Sequence, residues 1–251
     1  YYMHAVSVGL FGKNSFKNVI VTGTIAGNDG RKMSKSLGNY TDPEILLDQY
    51  GADAFRFFIF SSPLLSGEDA SLIDKDVADV SRKLSMIWNM YDFFTLYADV
   101  DGWEWDGSYD DPCNDKTSVL DKWIVARLHV LANEVEKHMD NYDMQNAMAP
   151  ILPFIDDASN WFVRRSRKRF WKSDNDSDKD SAYRTLHYVL VHLSHILAPF
   201  APFLSEELYQ KLTGGDSVHL RDWPKLSDKT GDLTLEAMSF VRRAVNDGLS
   251  D

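Results

Sequence analysis

From Asp74 to the end of the chain, apolar residues recur at the spacing of amphipathic helices, and no stretch has the alternation typical of a strand. After a first long pattern over 74–94, further helices are predicted over 118–135, 143–170, 181–197, 205–213 and 235–249. Pro150 and Pro153 should bend or split the helix that begins near Asp143. Long amphipathic helices with short connections are typical of an antiparallel bundle.

The first 66 residues follow a different order, in which a helix, a strand and a glycine-rich loop precede two short helices. We expect a helix over 3–10 that stops at Gly12, and a strand over 16–23. Asp42 is the expected cap of a helix that Gly51 ends, and the next helix, over 53–61, should turn three apolar side chains inward: Phe55, Phe58 and Ile59. This is the order of an α/β sheet edge, and since one strand cannot form a parallel sheet, we expect the other strands in an upstream segment. The linker-like stretch that follows predicts two domains, 1–66 and 67–251.

Composition limits the classes of function. No apolar run approaches the roughly 20 residues that a membrane-spanning helix needs, so we expect a soluble protein without a membrane partner, and the single cysteine fits a reducing cytoplasm. The single cysteine, Cys113, excludes an internal disulfide framework and a cysteine-based zinc cluster, and the seven histidines have no metal-ligand spacing. A net charge of −11 argues against nucleic-acid binding by bulk attraction, and no DNA partner is predicted. Any contact with RNA must come from a local positive patch.

Between the predicted strand and Asp42 lies a loop that is suited to binding a polyanion. It contains three glycines, and residues 32–36 read Lys-Met-Ser-Lys-Ser. Such a loop can approach a ligand closely and offers backbone N–H groups, two hydroxyls and two ammonium groups. Triphosphate is its natural counterpart, although the spacing is not that of a Walker loop. The plain alternative is a solvated polar surface loop.

This loop resembles the KMSKS signature of class I aminoacyl-tRNA synthetases in all five letters, and residues 50–56 (YGADAFR) are similar to the family's YGADALR segment. The resemblance implies ATP-dependent activation of an amino acid, transfer to tRNA, and a Mg²⁺ ion that accompanies ATP without metal ligands from this segment. It implies an ATP-binding set of Lys32, Met33, Ser34, Lys35 and Ser36. Lys35, with Lys32 beside it, is the implied catalytic group that stabilises charge on the departing pyrophosphate.

Residues 160–172 (NWFVRRSRKRFWK) form the one strongly basic stretch of the chain. On a helix, Phe162, Ser166 and Phe170 share one side with Ile155. The opposite side carries the candidate tRNA-binding residues, Trp161, Arg164, Arg165, Lys168 and Lys172. An indole among cations suits a stacking platform for an unpaired base. The alternative is a solvated helix face whose cations pair with the aspartates that follow, Asp174, Asp176, Asp178 and Asp180.

The basic stretch, the LAPFAPFLSEELYQ segment and the VHLRDWP turn resemble those of isoleucyl-tRNA synthetases, and the resemblance covers nearly the whole chain. It implies a mainly α fold: a helical bundle of the anticodon-binding type, preceded by a small α/β remnant of a Rossmann-type catalytic domain. The implied partners are ATP and tRNA(Ile), with isoleucine bound by an upstream part, and this segment alone is expected to be inactive. Two alternatives stay open: a valyl or other class I enzyme, and a non-catalytic helical RNA-binding module.

Overall fold

The computed structural model describes residues 1–27, 29–34, 36–172, 176–228 and 232–247. In chain order the helices and strands are α1 Tyr2–Phe11, β1 Ile25–Ala26, α2 Pro43–Tyr50, α3 Ala52–Ser61, β2 Ala70–Ser71, α4 Asp74–Asp101, α5 Val119–Asp140, α6 Met144–Met148, α7 Ile151–Asp156, a π-helical segment Asp157–Val163, α8 Arg164–Trp171, α9 Ser177–Leu197, α10 Pro202–Thr213 and α11 Leu233–Asp247. Short 3-10 turns lie at Pro63–Ser66 and Val218–Leu220.

Helix α9 is the centre of the bundle, and it packs against α4, α5, α8 and α10. Nearly every residue from Ala182 to Leu197 is buried, because neighbouring helices cover α9 on all sides. The predicted helices are present in the described residues, although several begin earlier than expected; residues 248–249 of the last predicted helix lie outside the described residues. α9 begins at Ser177 because the side chain of Asp176 accepts hydrogen bonds from the first-turn N–H groups of Asp178 and Lys179. None of the described helices combines the length and the apolar character needed to span a membrane.

The predicted strand over 16–23 is wrong. Among the described residues, the sheet consists of β1 and β2, which pair in parallel with Ile25 opposite Ala70. Val19, Ile20 and Val21 are more than half exposed, because strand pairing along the chain starts only after Gly23. At Gly23 the backbone passes so close to Glu68 that a Cβ would lie 1.9 Å from its carbonyl oxygen. Helix α1 ends at Gly12 as predicted, with a left-handed backbone angle (φ 65°), and buries none of its residues.

Helices α2 and α3 connect the loop to the bundle. Asp42 caps α2 as predicted, since its carboxylate accepts a hydrogen bond from the N–H of Glu44 at 3.0 Å. The inward face predicted for helix α3 is wrong. The helix buries Ala54 and Phe57 instead, because α4 and α6 pack on that side. Phe55, Phe58 and Ile59 are only half-buried. Both buried residues belong to the same hydrophobic cluster as α4, and the domain boundary at 66/67 stays a prediction.

The helix predicted over 143–170 is split at Pro150, as the prolines indicated, into α6, α7, the π-helical segment and α8. The π-helical turn itself was not predicted. Ile155, Phe162, Ser166 and Phe170 are each at most 1% exposed, which confirms that they share the inner side. Four of the basic residues between them are exposed on the outer side of the bundle, namely Arg164, Arg165, Arg167 and Lys168, whereas Arg169 is half-buried.

Candidate nucleotide loop and RNA-binding surface

The side chain of Asn39 holds the glycine-rich loop in shape. Its Oδ1 accepts a hydrogen bond from the N–H of Ser34 at 3.0 Å, and its Nδ2 donates to Oδ1 of Asp29 at 2.8 Å. The same Asp29 oxygen accepts from the N–H of Arg31 at 3.0 Å. The hydrogen bond from Arg31, followed by that from Asn39, keeps the pKa of Asp29 below its ordinary value. One amide side chain thus ties together the two ends of the loop.

Residue 27 must be a glycine because the backbone of Asn39 packs directly against it. A Cβ at this position would lie 2.0 Å from the backbone oxygen of Asn39, so no other residue fits without movement. The N–H of Gly27 donates to the carbonyl of Arg31 at 2.8 Å, which closes the turn from the other side. Gly30 and Gly38 have φ values of 74° and 57°, in the left-handed region that favours glycine.

The functional groups predicted for this loop have different surroundings. Lys32 is exposed and makes no ion pair with any described residue, while its backbone bridges to Ala26. Met33 is half-buried and packs against the hydrophobic core. The hydroxyls of Ser34 and Ser36 lie 2.7 Å apart. Lys35, the main predicted catalytic residue, lies outside the described residues.

A hydrogen bond connects the loop's exit to the bundle. The hydroxyl of Thr41 donates to Oδ2 of Asp74, the first residue of α4, at 2.7 Å. The other carboxylate oxygen of Asp74 is buried and has no hydrogen-bond partner among the described residues. The loop therefore rests on the first turn of the longest helix.

The basic helix α8 presents four exposed cations, Arg164, Arg165, Arg167 and Lys168. None of them makes an ion pair with a residue that the structure describes. This part of the surface matches the prediction of a local positive patch on an acidic protein. Such a patch supplies the phosphate contacts from which RNA-binding proteins gain affinity.

The other cations of the basic stretch are paired within the chain, as the alternative interpretation proposed for all of them. The ammonium of Lys172 lies 2.7 Å from Asp176 and 3.1 Å from Asp178. Arg169 makes two hydrogen bonds of 2.7 Å to the carboxylate of Asp121, and a contact of 2.8 Å to Asp178. Asp174 lies outside the described residues. Among the described residues of the basic stretch, these aspartates thus engage Arg169 and Lys172, while Asp180 pairs with Arg184 of α9 at 2.8 Å.

Trp161 is half-buried beneath two guanidinium groups. The guanidinium carbon of Arg165 lies 3.6 Å from the centroid of its ring, and that of Arg242, from α11, lies 5.2 Å away. Arg242 also forms an ion pair of 2.5 Å with Asp157. The indole N–H is buried and has no hydrogen-bond partner among the described residues. The ring face under Arg165 is therefore not open to a base in this structure.

Sequence reasoning missed Arg242 and gave no role to Trp171. Arg242 lies on α11, and only the packing of α11 against α5 brings it to Trp161. Trp171, the last residue of α8, is 56% exposed. The signal in the sequence was the position of an indole at the end of a basic run, since aromatic side chains among cations are typical of surfaces that bind unpaired bases.

The described residues contain no group of three or more His, Cys, Asp or Glu side chains that could hold a metal ion. This observation concerns only protein ligands. A metal ion carried by a phosphate ligand needs few protein contacts.

Two protein-family models match the chain. The model described as the anticodon-binding domain of tRNA ligase matches residues 121–248, and that of class I tRNA synthetases (I, L, M and V) matches residues 1–71. Isoleucine–tRNA ligase of Treponema denticola is 38% identical over 99% of this chain and 24% of its own length. That of Dehalococcoides mccartyi (strain CBDB1) is 44% identical over 91% of this chain and 23% of its own length. The chain thus spans about a quarter of the length of these curated relatives.

Two solved structures share the fold at 22% sequence identity. The Agrobacterium radiobacter K84 agnB2 LeuRS–tRNA–LeuAMS complex has a TM-score of 0.69 over 91% of this chain and 26% of that chain. Mycobacterium tuberculosis methionyl-tRNA synthetase bound by methionyl-adenylate has a TM-score of 0.54 over 73% of this chain and 36% of that chain. These likenesses and the family models confirm the predicted fold class, a mainly α bundle of the anticodon-binding type after a small α/β part.

Proposed function

Because the chain belongs to the class I tRNA ligases and carries their anticodon-binding domain, we propose that it is the part of an isoleucine–tRNA ligase that closes a loop over ATP and binds tRNA(Ile). The observation that carries the proposal is the identity of 38–44% with isoleucine–tRNA ligases over 89–99% of the chain. Isoleucine itself would be bound by another part of the longer protein, which would act in the cytoplasm. The two domains of the proposal are 1–66, with the loop, and 67–251, with the bundle.

In this proposal the loop stabilises charge on the phosphates of ATP. Lys35 and Lys32 supply positive charge where the departing pyrophosphate becomes more negative, and Ser34, Ser36 and Met33 line the same segment. The ammonium of Lys32 supports this role, since it is exposed and has no ion pair to break with any residue that the structure describes. The Asn39 hydrogen bonds fix the ends of the loop, while its tip stays available to close over the nucleotide.

We propose that Mg²⁺ arrives bound to the phosphates of ATP and takes no ligand from this chain. Mg²⁺ commonly keeps several waters and is bound through substrate phosphates with few carboxylates. The described part of the loop supports that arrangement, because it exposes two cations, Arg31 and Lys32, and because Oδ1 of its one carboxylate, Asp29, already accepts hydrogen bonds from Asn39 and Arg31.

The proposed RNA contact is made by the outer side of α8. Arg164, Arg165 and Lys168 are exposed and unpaired among the described residues, which makes them available for phosphates. Trp161 and Lys172 belong to the same proposed surface, but in this structure Trp161 is covered by Arg165 and Lys172 is paired with aspartates. Their contribution therefore depends on how RNA rearranges these contacts.

The amino acid is tested by charging assays on the full-length protein from which the chain derives. We expect tRNA(Ile) to be charged with isoleucine, with valine, leucine and methionine as the competing amino acids. We also expect the 251-residue chain alone to bind tRNA(Ile) yet to give no isoleucine-dependent exchange of pyrophosphate into ATP. Preferential charging with valine would contradict the assignment to isoleucine. Exchange activity of the chain alone would contradict the proposal that isoleucine is bound by another part of the protein.

A further inference from the structure

We propose that one unpaired RNA base stacks on the guanidinium of Arg165, which itself stacks on the indole of Trp161. Arg165 is then the residue that touches the base, and Trp161 is a positioning residue beneath it. The inference deepens the proposed function and rests on it, since it names the chemistry by which the surface of α8 would take RNA.

The geometry of the pair is that of two stacked layers. The guanidinium carbon lies 3.6 Å from the ring centroid, which is the thickness of one aromatic layer, so the planar group lies over the ring rather than beside it. Arg165 is exposed and makes no ion pair with any described residue, so its outward face is open to solvent. Unpaired bases stack on guanidinium planes as well as on aromatic rings. A base can therefore add a third layer without displacing Arg165.

The layer below is held in place by the fold. Trp161 lies in the π-helical segment Asp157–Val163 directly before α8, four residues ahead of Arg165. Its N–H is buried, and a second guanidinium, that of Arg242, lies 5.2 Å from the ring centroid. Arg242 is fixed by its ion pair with Asp157 in the same π-helical segment. The indole is thus positioned from two helices, and this lowers the entropy lost when a base stacks above it.

The neighbouring charges favour RNA as the ligand. Arg164, Arg167 and Lys168 surround the pair on α8, are exposed and have no ion-pair partner among the described residues. They can contact the phosphates on either side of a stacked base. A phosphate could also bind Arg165 itself, but that contact needs only a positive charge, whereas a stacked base needs the planar group. Replacement of arginine by lysine separates these two modes of binding.

The experiment compares Arg165→Lys with Arg164→Lys in the 251-residue chain, since both keep the charge and only Arg165 lies on a ring. Binding is measured by titration with a tRNA(Ile) transcript, with an RNA hairpin that has an unpaired loop, and with a fully paired RNA duplex. We expect Arg165→Lys to bind tRNA and hairpin about tenfold more weakly. Duplex affinity and the salt dependence of binding should not change. Arg164→Lys keeps the charge of a phosphate contact, so any change it causes should be equal for hairpin and duplex, and the ratio of their affinities should stay that of the unmodified chain.

Variants of the lower layer test the positioning role. Trp161→Leu should weaken binding to the hairpin as much as Arg165→Lys does, while Trp161→Phe, which keeps a ring, should restore most of the affinity. The double variant of Arg165→Lys and Trp161→Leu should be no weaker than either single variant, because the two residues act as one unit. Circular dichroism and thermal melting establish that each variant is folded.

Three results would overturn the inference. If the unmodified chain binds tRNA(Ile) but Arg165→Lys and Arg164→Lys have equal hairpin affinities, no base stacks on Arg165. The proposed function would not be affected by that result. A large loss in Trp171→Ala with none in Arg165→Lys would place the base on the exposed indole instead. If the unmodified chain does not prefer tRNA(Ile) to unrelated RNA at any salt concentration, the proposed function itself fails, and the inference with it.

Discussion

The basic run of α8 looks uniform in sequence, but the structure predicts that one arginine within it has a purely structural role. Arg169 donates two hydrogen bonds of 2.7 Å to Asp121, whose side chain is completely buried on α5. Ser181 donates a further hydrogen bond of 3.3 Å to the same carboxylate. Truncation by Arg169→Ala would leave a buried charge without its cation, which typically costs about 3–5 kcal/mol in unfolding free energy.

Asp121→Asn should cost less, about 1.5–3 kcal/mol, because Arg169 keeps its contact of 2.8 Å to Asp178 and the amide is neutral. The matched control is Arg167→Ala, an exposed cation without an ion-pair partner among the described residues, and it should change stability by less than about 0.5 kcal/mol. Urea unfolding followed by circular dichroism measures all three variants. An Arg169→Ala variant no less stable than Arg167→Ala would refute the reasoning.

Two further predictions concern charge. Asp176→Asn should strengthen RNA binding about two- to threefold in titrations, because it weakens the ion pair that holds Lys172 while an asparagine still caps α9. The control is Glu207→Gln on α10, which also removes a carboxylate that pairs with a lysine. Equal RNA affinities of the two variants would contradict the prediction. Burial lowers the pKa of both His192 and His195 to about 4, whereas the unfolded value is about 6.5. The neutral imidazoles therefore stabilise the folded chain fully above about pH 6.5 and progressively less as the pH falls towards 4. The urea midpoint of unfolding should decline between pH 7 and pH 5. The decline should be smaller in a variant in which both histidines are replaced by glutamine. Identical pH profiles of the two proteins would show that these histidines do not cause the decline.

The helices, and the side of α8 that faces outward, could be predicted because they depend on local patterns. Helix ends followed from caps such as Asp42 and from Gly12, and the inner side of α8 followed from helical spacing. The strands could not be predicted, since two-residue strands form only where the chain near Ile25 meets Ala70. An apolar run such as 19–21 looks like a strand but has no partner among the described residues.

Which cations of α8 are paired and which are exposed also depends on the fold and could not be predicted from the sequence. Helical spacing places Arg169 near the inner side, seven residues after Phe162, but nothing in residues 164–172 reveals that Asp121 of α5 holds it. Trp161 and Arg165 are one helical turn apart, so their shared side was predictable, but the stacking of one upon the other was not. In the loop, the glycines were predicted to allow a ligand to approach, and the structure shows that Gly27 also admits Asn39.

We propose that the loop binds ATP while the helices bind tRNA, and a crossed comparison in the full-length protein separates the two roles. Lys35→Ala should strongly reduce adenylate formation, measured by pyrophosphate exchange, and leave tRNA(Ile) affinity unchanged. Arg164→Ala combined with Lys168→Ala should weaken tRNA(Ile) binding and leave adenylate formation unchanged. An unreduced rate of adenylate formation in Lys35→Ala, or unaltered tRNA affinity in the double variant, would contradict the claim.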